Sequence, residues 1–159
     1  MTVPRERDDQ GRARNARPRD ALGRPLPRGA EGVARIPDEL VLPPLPSLAE
    51  AQRLLDDGLP FHAHEILEGT WKAAAPAERD LWQGLAQLAV GYTHLLRGNA
   101  AGATTLLQRA RRRLADYADR PPYDIDVDGL TRWADDVLAG LAAASLSTPA
   151  PPRLRTADA

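Results

Sequence analysis

Apolar residues recur along the middle of the chain at helical intervals, and no stretch alternates as a strand would. Leu48, Ala51, Leu54 and Leu55 open the pattern. Ser47 and Glu50 stand before and within it at capping-box spacing, so a first helix is expected to start at Ser47 and to stop at Gly58. Pro60 suits the first position of a second helix over about 60–74, where a missing N–H costs nothing. A third helix is expected from about Ala77 to Arg97, ended by Arg97-Gly98-Asn99, and a fourth from about Ala100 to Tyr117. Pro121 and Pro122 enforce a break. Asp126 or Asp128 can then cap a fifth helix carrying Leu130, Trp133, Val137, Leu138 and Leu141. Short links between the first four helices favour antiparallel neighbours. The expectation is an all-α compact bundle of about five helices, mostly antiparallel, spanning residues 47–146 with irregular N- and C-terminal tails.

The tails differ in composition from the bundle. Residues 1–46 are rich in proline and arginine and lack a sustained apolar period, so they are expected to be irregular or draped on the domain. Within them Ile36, Leu40 and Leu42 have the character to pack across it. Residues 147–159, with Pro149, Pro151 and Pro152, are expected to form a flexible tail.

The third helix carries the most unusual pattern. Leu81, Leu85, Leu88, Tyr92, Leu95 and Leu96 make a broad apolar face, widened by Trp82, Ala86, Ala89 and Val90, as in a central helix. Gly84, Gly91 and Gly98 recur every seven residues, with Gln83, Gln87 and His94 beside them. A glycine inside a helix costs about 1 kcal/mol relative to alanine, so Gly84 and Gly91 need an offsetting gain; close approach of a neighbouring helix supplies one. On the second helix Ala63, Leu67, Trp71 and Ala74 mark the core side, His64 and Glu68 lie at its margin, Glu65 and Lys72 farther round, and His62 is expected to point outward. The expectation is one polar seam between helices two and three, built from His64, Glu68, Gln83, Gln87 and His94.

These same residues carry a resemblance. Phe61, His64, Glu65, Leu67, Glu68 and Trp71, then Gln83, Gly84, Gln87 and Ala89, then His94, Arg97, Gly98 and Asn99 resemble the helical family known as domain of unknown function family 309. The likeness runs over about residues 48–117. It implies a small all-helical bundle and no defined reaction.

Composition removes several classes of chemistry. There is no cysteine, so disulfides and thiolate metal sites are excluded. No apolar run reaches the roughly 18–20 residues that span a bilayer, no secretory leader is apparent, and a cytoplasmic protein without membrane contact is the expectation. The net charge of −1 gives no general pull toward nucleic acid. Arg109, Arg112 and Arg113 form a local basic cluster, the one place where an anionic partner or nucleic acid has footing. Serines lie only at a helix cap and near the C-terminus. Acid–base or metal chemistry would fall to His64, Glu65, Glu68 and His94, with His64, Glu68 and His94 as a conceivable divalent metal set. The two-histidine zinc-protease pattern is absent, because Glu68 stands where the second histidine would be. No cofactor is expected. The leading expectation is an interaction or regulatory module with an unidentified protein partner or self-association, to which Trp82, at the edge of the apolar arc, could contribute. The alternatives are an enzyme using the His/Glu seam and a nucleic-acid-associated protein using the arginine cluster.

Overall fold

The computed structural model describes residues 21–22, 40–145 and 147–156. Five α-helices form among these residues: α1 Pro44–Asp56, α2 Pro60–Ala73, α3 Arg79–Leu96, α4 Ala100–Ala115 and α5 Val127–Ala142. Single 3₁₀ turns at Pro76–Glu78 and Pro122–Asp124 lead into α3 and α5. Each helix packs on the next in chain order, which leaves α3 held between α2 and α4. The all-α bundle expected from the apolar period is the observed architecture.

Helix boundaries follow from a few residues. Pro60 sits in the first turn of α2. Gly58 and Gly98 adopt left-handed backbones, at φ 75° and 77°, in the turns after α1 and α3. Asn99 caps α4 by accepting from the Gly102 N–H at 3.0 Å, and Asp126 caps α5 by accepting from Gly129 at 3.1 Å. The start of α1 differs from the sequence expectation. It begins at Pro44, and Ser47 lies inside it, fully buried, its hydroxyl accepting from Thr70 on α2 at 2.7 Å. Pro44 and Pro46 fall in the first turn, where no intrahelical N–H is required, so they extend the helix backward instead of excluding it. Glu50, the expected capping partner, pairs with Arg53.

The core is continuous from α1 to α5. Leu48, Leu55, Ile66, Leu67, Leu81, Trp82, Leu85, Leu88, Leu107, Leu114 and Leu130 are all buried. Trp82 is 1% exposed, donates its indole N–H to Glu78 at 3.1 Å and meets the Tyr123 ring at 6.0 Å. It is a core residue, which removes it as a partner surface; the apolar arc of α3 is wide because two helices and the 122–124 turn close on it.

The expected close approach at Gly84 and Gly91 is present, and the approaching helix is α4. A Cβ on Gly91 would lie 2.8 Å from Leu107 Cδ2 and 3.3 Å from the Leu107 backbone nitrogen. A Cβ on Gly84 would lie 3.1 Å from Arg113 Cβ and 3.3 Å from the Leu114 side chain. The later glycine meets the earlier α4 residue, so the two helices run antiparallel. A third glycine, Gly69 on α2, admits the incoming chain: its Cβ would stand 2.6 Å from the Leu40 carbonyl oxygen. Leu40 and Leu42 pack on the core there, and Thr70 donates to the Leu42 carbonyl at 3.2 Å. Ile36 lies outside the described residues.

The C-terminal expectation of a flexible tail is also revised. Residues 147–156 lie along the bundle, with Leu154 1% exposed and Ile125 bridging Arg155 in antiparallel fashion. The prolines that argue against helix leave an extended segment able to pair with neighbouring backbone.

Gly91→Ala is expected to destabilise the protein by about 1–2 kcal/mol, because overpacking against Leu107 exceeds the gain in helix propensity. Gly84→Ala, facing more yielding contacts, is expected to cost less. Urea unfolding followed by far-UV circular dichroism checks both values.

Candidate functional site

α2 divides its circumference sharply. Pro60, His62, Ala63, Ile66, Leu67 and Thr70 are buried. Phe61, His64, Glu65, Glu68 and Trp71 are all half-buried and follow one another at steps of three or four, apart from the adjacent pair His64 and Glu65. They form a single stripe beside the buried face. His62, expected to point outward, is 2% exposed and belongs to the buried side. The buried arc of α2 is thus wider than the Ala63–Leu67 core line alone suggests, since it takes in His62, Ile66 and Thr70.

The stripe has an ordered electrostatic centre. The Glu68 carboxylate takes a hydrogen bond from His64 Nε2 at 2.9 Å and the Lys72 ammonium at 3.0 Å, each one helical turn away. The His64 hydrogen bond is the largest influence on Glu68; with Lys72 it outweighs the opposing effect of burial and holds the carboxyl down to about 2. The Phe61 ring stands 5.4 Å from the His64 ring, tilted by 52°. With Nε2 engaged by Glu68, Nδ1 of His64 is buried and has no hydrogen-bond partner among the described residues.

The seam expected between α2 and α3 is divided differently. Gln87 accepts from Arg113 Nε at 3.2 Å, and Arg113 also donates to Asp80 at 2.7 Å, which ties α3 to α4. His94 Nδ1 pairs with the Asn99 amide at 3.1 Å, beside Gly102. Gln83 is half-buried on α3. Only His64 and Glu68 of the five are joined to one another by a hydrogen bond among the described residues. The reason is the glycine stripe: it is the α4-facing stripe of α3, and Gln87 and His94, flanking it, go with it. Burial lowers the His94 pKa below its usual value, and the charge of Arg97 lowers it further, so the imidazole that receives the Asn99 amide is favoured in its neutral form.

Among the described residues no three His, Asp or Glu side chains are grouped to hold one metal ion, so His64, Glu68 and His94 do not make the conceivable metal set. The arginine cluster is also split. Arg109 and Arg112 are exposed, whereas Arg113 is turned to Asp80 and Gln87. The three line a shallow cleft of about 290 Å³. The neighbouring Arg111 pairs with Asp135 on α5. Sequence reasoning misses Asp80, and it names Asn99 and Arg113 without their roles as a cap holding His94 and as a tie from α4 to α3. Asn99 is findable, as a preferred cap residue immediately before an alanine-rich helix. Arg113 is hidden in an arginine run that reads as uniformly solvated. No described helix is long and apolar enough to cross a membrane.

Residues 48–106 match the family described as "Domain of unknown function (DUF309)", a span from the first turns of α1 into α4. The chain is similar to a protein of Bacillus subtilis (strain 168) named "Uncharacterized protein YpuF", with 46% identity over 55 residues. That segment is 34% of this chain and 32% of the relative, so the similarity spans about a third of the relative's length. No solved structure matches the chain.

Depression of the Glu68 pKa fixes a pH dependence. A carboxylate more acidic when folded stabilises the fold above its unfolded pKa, near 4.5, and that contribution is lost as pH falls toward 2. A third of the side chain is open to solvent, so the expected contribution is about 1 kcal/mol. Glu68→Gln is expected to lower stability at pH 6 by that amount and to converge on wild type near pH 2; urea titrations at the two pH values check it.

Proposed function

From the match of residues 48–106 to the DUF309 family and the geometry of α2, we propose that the chain is a small helical interaction module whose contact surface is the half-buried stripe of α2. The observation that carries this reading is the position of Phe61, His64, Glu65, Glu68 and Trp71. These residues of the family resemblance lie on one stripe at the edge of the core, not at its centre. Three other polar residues of the resemblance serve the fold: Gln87 fastens Arg113, and Asn99 caps α4 while holding His94.

A stripe with aromatic residues at both ends, an imidazole–carboxylate pair between them and the Lys72 ammonium beside it suits recognition of a folded protein surface. Aromatic anchors supply area with few rotatable bonds, and the ordered charges fix orientation. The His64–Glu68–Lys72 ladder is already formed, so little side-chain ordering is left for the moment of association.

Photo-crosslinking tests the reading. A benzoylphenylalanine residue replaces Ala75, exposed just past the Trp71 end of the stripe, or Asp136, exposed on α5. Irradiation in the native cell is expected to give one discrete adduct from position 75 that Phe61→Ala and Trp71→Ala each reduce several-fold, and none of that mass from position 136. Equal adducts from both positions, or none from position 75, contradict the proposal.

A further inference from the structure

The segment that follows α5 is held in the manner of a bound peptide. Gln52 on α1 uses both ends of its amide on it, donating to the Pro152 carbonyl at 3.1 Å and accepting from the Leu154 N–H at 2.8 Å. The 124–126 backbone continues the pairing. The Asp126 N–H donates to the Leu154 carbonyl at 2.9 Å, and the Thr156 N–H donates to the Asp124 carbonyl at 3.0 Å. Leu154 is therefore held through both its N–H and its carbonyl, by Gln52 and by Asp126, and the pairing with 124–126 is that of one antiparallel bridge. Farther back, Trp133 donates to the Ala150 carbonyl at 2.9 Å and Tyr92 to the Pro149 carbonyl at 3.3 Å.

All of these bonds address main-chain atoms, which any extended segment supplies. Side-chain contacts come from three residues, of which Arg155 donates to the Tyr123 carbonyl at 2.9 Å and pairs with Asp124 at 3.5 Å. Leu154 is the one member of the segment in the hydrophobic core cluster. Arg153 reaches the Asp56 carboxylate at 3.0 and 3.1 Å. The preceding Pro152 has no N–H to leave unpaired and favours an extended backbone.

Three features set this segment apart from the helices it lies on. None of α1–α5 depends on it for its own backbone hydrogen bonds. It is tethered through Ala144, a non-glycine residue in the left-handed region at φ 50°. Beside it, against Gln52, Arg53 and Asp56 of α1, a cleft of about 650 Å³ stays open, room in which a second segment can gain footing before the first has left.

We propose that the groove between α1 and the 122–126 turn is a peptide-binding site for an extended segment of another chain with the Pro-Arg-Leu pattern of residues 152–154, and that residues 147–156 fill it in cis. The leucine enters the core position, the arginine meets Asp56, and Gln52 reads the main chain between them. The cis segment competes at the high effective concentration of a short tether, so an external ligand gains access chiefly when the cis segment is released.

The test uses the full chain and a fluorescein-labelled peptide with the sequence of residues 147–156, followed by fluorescence anisotropy. Leu154→Asp in the protein releases the cis segment while leaving the groove intact. This variant is expected to bind the peptide at least ten-fold more tightly than wild type. Adding Gln52→Ala to it is expected to remove at least ten-fold of that affinity, and a peptide with aspartate at the leucine position is expected not to bind. Arg153→Glu, a change at an exposed position opposite Asp56, gives a milder release that spares the core and is expected to raise peptide affinity over wild type by a smaller factor. A Leu154→Asp or Arg153→Glu protein with wild-type helicity that takes up no peptide overturns the proposal. So does uptake indifferent to Gln52→Ala.

Discussion

The near-contact between α3 and α4 at Gly84 and Gly91 governs the rest of the structure. With no Cβ on either residue, Leu107 and Leu114 come within van der Waals distance of the α3 backbone. α3 can then be enclosed from both sides, by α2 and by α4. Each mid-helix glycine sacrifices about 1 kcal/mol of helix propensity, and the dense packing of fully buried leucines against bare backbone offsets it. Where that contact lies decides where the polar residues of α3 end up. Gln87 and His94 flank the glycines, so they meet Arg113 and Asn99 at the α4 side. α2 is left with a polar ladder of its own, His64–Glu68–Lys72.

Two kinds of polar site result, with different physical characters. The α3–α4 set is structural. It ties helix ends and the Arg113 guanidinium into the bundle, and its one titratable imidazole is biased toward neutrality by burial. The α2 set is half-open, charged and bordered by Phe61 and Trp71. The groove holding residues 147–156 is a third arrangement, built from main-chain pairing around one buried leucine. The fold thus separates residues that fasten helices from residues placed at its margins, and the functional readings rest on the latter.

The helices are legible in the sequence because their signals are local. Apolar period, proline at a first turn, glycine past an end and aspartate before a start each act over one turn. The close approach at Gly84 and Gly91 is legible too, since a glycine inside a buried helix gains little unless a neighbour occupies the place of its Cβ. Which helix approaches is not legible, because one wheel fixes directions around α3 and leaves the neighbours' order open. The seam expected between helices two and three fails at that step: Gln87 and His94 turn to α4 instead. The Ser47 side chain suits both a cap and a buried hydroxyl pair, and only Thr70, 23 residues away, selects the second. Residues 147–156 read as mobile because their order depends on Gln52 and on the 124–126 backbone, contacts invisible at short range. His62 reads as outward, and Trp82 as a possible partner surface, for the same reason, since burial on the margin of an apolar arc is decided by what covers it.

A double-mutant cycle on Gly91 and Leu107 measures the governing contact directly, with stability read by urea unfolding of Gly91→Ala, Leu107→Ala and the combined variant. If bare backbone at Gly91 exists to admit the Leu107 side chain, truncating Leu107 makes room for the alanine. The combined variant then loses less stability than the two single losses together, by about 1 kcal/mol or more. Losses that add to within roughly 0.3–0.5 kcal/mol, as for independent sites, contradict the account.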